Sequence, residues 1–135
     1  MDLVDWGNKA FKGPWREQKQ VAITWALEKL IKRYNVTHLN IKVPHRIERY
    51  KPLMLIRDDI LQLASNNGIK TKIWSLQKLL SANNYHSKTG KRAFLTKIAL
   101  KHPFVTHEYT NNDEVQVYYE KVLEAIAVAE TGARQ

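Results

Sequence analysis

The chemistry open to this chain rests on 13 carboxylates and five histidines, because it contains no cysteine. Without thiolates there is no disulfide framework and no thiolate-based zinc or redox site. No two of His38, His45, His86, His102 and His107 stand at i, i+4 spacing with an acid between them, so no metal site is read from them. A serine nucleophile needs a strained turn between small residues, and no G-x-S-x-G occurs. The run Ser87 to Arg92 has the composition of a phosphate-binding loop but not its order, since the initial glycine is missing, and it reads as a basic turn.

Two-metal phosphoryl chemistry needs several carboxylates meeting at strand ends, where they hold the ions and leave room for phosphate. Asp5, after a short Leu3–Val4 strand, and Asp113, opening the last helix, are the catalytic candidates that a sheet would bring together. Asp113 and Glu114 are equally the residues expected in a first helical turn, where they oppose the macrodipole. Asp58 and Asp59 fall on a polar helix face and read as solvated.

Basic residues outnumber acidic ones 22 to 13, giving a formal charge of +9, and the excess is uneven. Residues 41–102 hold 13 basic and three acidic residues, whereas residues 103–135 hold two and six. A concentrated positive middle points to a polyanionic partner, nucleic acid first among them. Lys42, His45, Arg46, Arg49, Lys70, Lys72, Lys88, Lys91 and Arg92 are the candidate phosphate contacts. Tyr50, Trp74 and Tyr85 lie among them as candidate base platforms, with core packing the competing role for each.

These residues must be positioned by a chain of 135 residues, the size of one domain, with 44% hydrophobic and 26% charged residues, a globular balance. A single α/β domain over residues 1–135 is expected, with residues 130–135 as a frayed tail. Pro14 precedes a helical stripe over 15–34 (Ile23, Leu27, Leu30, Ile31, Tyr34), closed by Asn35. From Val36 the period becomes two, with Leu39, Ile41 and Val43 opposite His38, Asn40 and Lys42, until Pro44 ends the strand. A helix follows Pro52 up to Asn67 and Gly68, and residues 69–74 alternate as a second strand. Helix, strand, helix, strand implies parallel pairing with a right-handed crossover.

Ser75 caps a short helix. Residues 83–90 read as a loop, and a basic amphipathic helix starts near Lys91 and stops at Pro103. A last helix opens at an Asn111/Glu114 capping box and presents Tyr119, Val122, Leu123, Ile126 and Ala129. No stretch has membrane-spanning length, and the N-terminal residues lack an apolar signal core, so a cytoplasmic protein with no membrane partner is expected.

The segment Thr37 to Pro44, a strand after a long helix ending in Val-Pro, together with Leu3 to Gly7 and Asn111 to Val115, resembles the ribonuclease H-like superfamily, in particular its Holliday-junction-resolvase-like branch. The resemblance implies a small mixed or parallel sheet flanked by helices, with Asp5 at the leading metal-ligand position and the Asp113 segment at the C-terminal acidic one. Two features depart from it. About a dozen residues precede the long helix, too few for a full hairpin of ordinary strands, so the N-terminal hairpin is incomplete. Val43, Pro44 and His45 stand where an acidic ligand is common.

The reading that follows is a non-catalytic or degenerate ribonuclease H-like domain that binds nucleic acid through its basic middle and needs no cofactor. One alternative is a magnesium- or manganese-dependent structure-specific nuclease using Asp5 and Asp113. Another is a dimerisation or interaction module anchored by Trp6, Phe11 and Trp15.

Overall fold

The computed structural model describes residues 3–7, 9, 11, 13–86, 90–110 and 116–135. These residues form a mixed α/β chain of six α-helices and one two-stranded parallel sheet. The chain divides into two compact units, Lys9–Ile73 and Met1–Asn8 with Trp74–Gln135.

The Lys9–Ile73 unit runs α1 (Glu17–Tyr34), β1 (His38–Lys42), a 3-10 turn (Ile47–Arg49), α2 (Lys51–Asn66) and β2, whose span Lys70–Trp74 ends at the first residue of the other unit. Asn35 closes α1 in the left-handed conformation (φ 49°, ψ 52°), and the Val36 N–H donates back to the Ile31 carbonyl at 3.1 Å. The chain thereby reverses from helix into strand. Ile31, Ala64 and Ile69 are buried at the centre, with Leu27, Val36, Leu39 and Leu63 against them. α1 packs on α2, and the Gln20 side-chain amide donates to the Asp59 carboxylate between them. Asp59 is therefore half-buried and bonded rather than solvated as the sequence implied, whereas Asp58 is exposed.

The Lys70 N–H donates to the Thr37 carbonyl at 3.0 Å and sets the strand register. In a parallel ladder this pairs residue 38 with 70 and 40 with 72, so His38, Asn40 and Lys42 share a sheet face with Lys70 and Lys72. Leu39 points to the opposite face, toward the helices.

The other unit contains α3 (Leu76–Ala82), α4 (Gly90–Lys101), α5 (Pro103–Thr110) and α6 (Gln116–Ala133). Ser75 caps α3 through its hydroxyl, which accepts from the Lys78 N–H at 3.1 Å. α6 packs against α3, α4 and α5. Val122, Leu123, Glu124, Ile126, Ala127, Val128 and Thr131 are all buried, so its apolar surface is far wider than a single stripe. Trp74, Leu79, Phe94, Ile98 and Val105 complete this core.

Four sequence expectations are corrected here. Leu3 to Gly7 form no strand; Leu3 and Trp6 instead pack against the helical core. Pro103 ends α4 but also opens α5, because the first turn of a helix does not use the N–H that proline lacks. Ala129 is exposed, on the narrow wet side of α6. The tail does not fray at 130, since α6 continues to Ala133 and the Arg134 guanidinium donates to Asn83 Oδ1 at 2.5 Å. The Asn111/Glu114 box lies outside the described residues.

Asn83 ties the ends of two helices together. Its Nδ2 donates to the Leu79 carbonyl at 2.9 Å and to Thr131 Oγ1 at 3.0 Å. Asn83→Ala is expected to cost about 1–2 kcal/mol, because the buried Thr131 loses a partner and the end of α3 loses its cap. Urea unfolding followed by circular dichroism measures this loss; an unchanged midpoint would show that water replaces the amide.

Candidate nucleic-acid interface

The structure gathers six of the nine basic candidates in the Lys9–Ile73 unit. Lys42, Lys70 and Lys72 share one sheet face; Lys70 is exposed, Lys42 and Lys72 half-buried. Just past the C-terminal end of β1 the chain turns through His45 and Arg46, both exposed, and Arg49 follows on the 3-10 turn, also exposed. The carboxyl end of a parallel strand is where α/β folds present ligand-binding residues, because the loops diverge there. Arg46 adopts φ 54°, ψ 47°, a left-handed conformation that non-glycine residues rarely take. The Arg49 N–H donates to the Arg46 carbonyl at 3.0 Å and holds the turn. Among the described residues, no salt bridge or side-chain hydrogen bond engages Arg46, Arg49 or Lys70.

The other three candidates belong to a different part of the chain. Lys88 lies outside the described residues. Arg92 is exposed on α4, at a groove of ≈ 930 Å³ between α4, α5 and α6 whose walls include Leu95, Ala99 and Leu123. Lys91 is committed within its own unit, ion-paired with Glu120 and 3.3 Å from Glu124 Oε1. The hydrogen bond that Lys91 donates to Glu120 raises its pKa above 10.5, and the nearby Glu124 charge adds to this against the opposing effect of partial burial. A lysine held by two carboxylates offers little net charge to a phosphate.

Of the three candidate base platforms, only Tyr50 is an exposed residue, at 53%. Trp74 is completely buried in the helical core, which excludes it from stacking on a base. Tyr85 is half-buried and rests on Phe94, with ring centroids 5.2 Å apart. Trp6, Phe11 and Trp15 are each half-buried.

Asp5 is exposed and accepts the Trp6 N–H at 2.9 Å, and Asp113 lies outside the described residues. Among the described residues no three His, Asp or Glu side chains converge as a metal-binding group. The donor set for a two-metal centre is thus not assembled there.

Two polar pairs were not legible in the sequence. Glu124 is a buried carboxylate with Lys121 at 3.7 Å as well as Lys91. His102 Nε2 meets Glu130 Oε1 at 2.5 Å, both side chains being largely buried. The partners in the second pair are 28 residues apart, and no local motif announces them.

No helix among the described residues is long and apolar enough to cross a membrane. Comparison with known proteins gives no matching family model, no similar curated protein and no similar solved structure.

Proposed function

We propose that this chain binds nucleic acid through a basic surface made of the turn after β1, with His45, Arg46 and Arg49, and the sheet face of Lys42, Lys70 and Lys72, and that it does so without catalysis. The observation that carries the reading is the contrast among its cations. Lys91 is held by two carboxylates, whereas Arg46 and Arg49 stand exposed just past the carboxyl end of β1 and Lys70 stands exposed at the start of β2, none of the three with a salt bridge or side-chain hydrogen bond among the described residues. Phosphates meet such a surface by charge and hydrogen bonding, independent of base identity. The parallel strand pair with its crossover helix is consistent with a shortened ribonuclease H-like sheet, and we retain that kinship as part of the proposal.

Retention on immobilised single- and double-stranded DNA at low salt tests the reading. Arg46→Glu with Arg49→Glu is expected to abolish retention at about 50 mM salt, and the wild type is expected to elute steeply as salt rises toward about 200 mM. Retention unchanged by the reversals, or insensitive to salt, removes this surface as the interface. Magnesium- or manganese-dependent cleavage that disappears in Asp5→Asn would instead favour the nuclease.

A further inference from the structure

The same turn carries an aromatic ring whose setting bears on which nucleic acid is bound. The segment from Pro44 to Pro52 is fixed at both ends by prolines, which restrict φ. Between them, the Tyr50 N–H donates to the Ile47 carbonyl at 2.8 Å, and the Tyr50 carbonyl accepts from the Met54 N–H at 3.1 Å in the first turn of α2. Its backbone is therefore hydrogen-bonded on both sides while the residue is 53% exposed. Ile47 on the same turn is half-buried, and exposed His45, Arg46, Arg49 and Lys51 flank Tyr50 in sequence, with Glu48 the sole acid between Lys42 and Lys51.

An exposed tyrosine on a hydrogen-bonded turn, flanked by cations, matches the recognition of unpaired bases. Cations follow the backbone while the ring receives a base face, a contact every base can make. A continuous duplex hides those faces in its own stack and offers the ring nothing. A tyrosine fixed through its backbone also loses little freedom on binding, so more of the stacking is realised as affinity.

We infer that the strand-end surface prefers single-stranded nucleic acid, with Tyr50 as the base platform; this rests on the nucleic-acid reading above. Tyr50 uses only backbone atoms in the hydrogen bonds that hold the turn, so its side chain can be changed without removing them.

Fluorescence anisotropy at low salt decides the matter, using labelled oligo(dT) about 20 nucleotides long and a duplex of the same length. The wild type is expected to prefer oligo(dT). Tyr50→Ala is expected to weaken oligo(dT) binding by about tenfold while leaving duplex binding unchanged, and Tyr50→Phe to keep the wild-type preference. Circular dichroism and urea midpoints of both variants verify the fold. An equal loss on both probes, or no loss on either, overturns the role of Tyr50 while leaving the basic surface standing. Absence of binding to both probes by the wild type overturns the nucleic-acid reading itself.

Discussion

Trp74→Ala is expected to destabilise the protein by about 3–5 kcal/mol, the cost typical of emptying a large aromatic site in a close-packed core. Trp74 is wholly buried beside Leu79, Phe94 and the middle of α6, and Lys78 Nζ lies 5.0 Å from its ring centroid. Truncation deletes the ring contacts and opens a cavity that three helices meeting at fixed angles cannot fill by small shifts. Urea unfolding monitored by circular dichroism measures the loss. A decrease below about 1 kcal/mol would show that the indole is not a core element and would reopen it as a binding residue. This result bears on function because it assigns one of the three candidate platforms wholly to stability.

Removing the Lys91 ammonium should have the next largest effect. Lys91→Met leaves the Glu124 carboxylate, whose side chain is 3% exposed, buried beside the solvent-exposed Lys121, and a loss of about 3 kcal/mol is expected. Lys91 is itself partly exposed, which places the effect at the low end of that seen for broken buried pairs. Adding Glu124→Leu should recover most of the loss, because the buried charge disappears with its partner. Failure of the second substitution to rescue the first would show that Lys91 acts through packing of its aliphatic stem.

The same pair fixes a pH dependence. Glu120 and Glu124 raise the folded-state pKa of Lys91 above its ordinary 10.5, so the folded protein holds this proton more tightly than the unfolded chain. The resulting stability is fully present below that ordinary value and is lost as pH rises through the raised one. As pH rises above about 10.5 the urea midpoint of the wild type should therefore fall further than that of Lys91→Met.

Much of the Lys9–Ile73 unit was legible because its signals are local. The switch from a 3.6-residue to a two-residue period at Asn35 needed only the sequence, and Asn35 does adopt the left-handed cap. The basic turn was legible as a charge count. The helical unit was harder because its decisive contacts are distant in sequence. A glutamate in Glu124-Ala125-Ile126 reads as a solvated helix charge until α4 is laid beside it and Lys91 reaches it. Strand alternation put Trp74 on the lysine face, whereas its ring belongs to the core of the following helices. Pro103 reads as a stop in the sequence, yet the same missing N–H that ends one helix suits the start of another.

The left-handed Arg46 carries a consequence for any attempt to improve this protein. An L-residue in that conformation costs about 1–2 kcal/mol relative to the right-handed one, and glycine is free of the penalty. A search for thermostability would favour glycine at position 46 and would remove one of the uncommitted cations in the same step. On the proposed reading, robustness and affinity are opposed at this one backbone position, and the chain keeps the less stable choice.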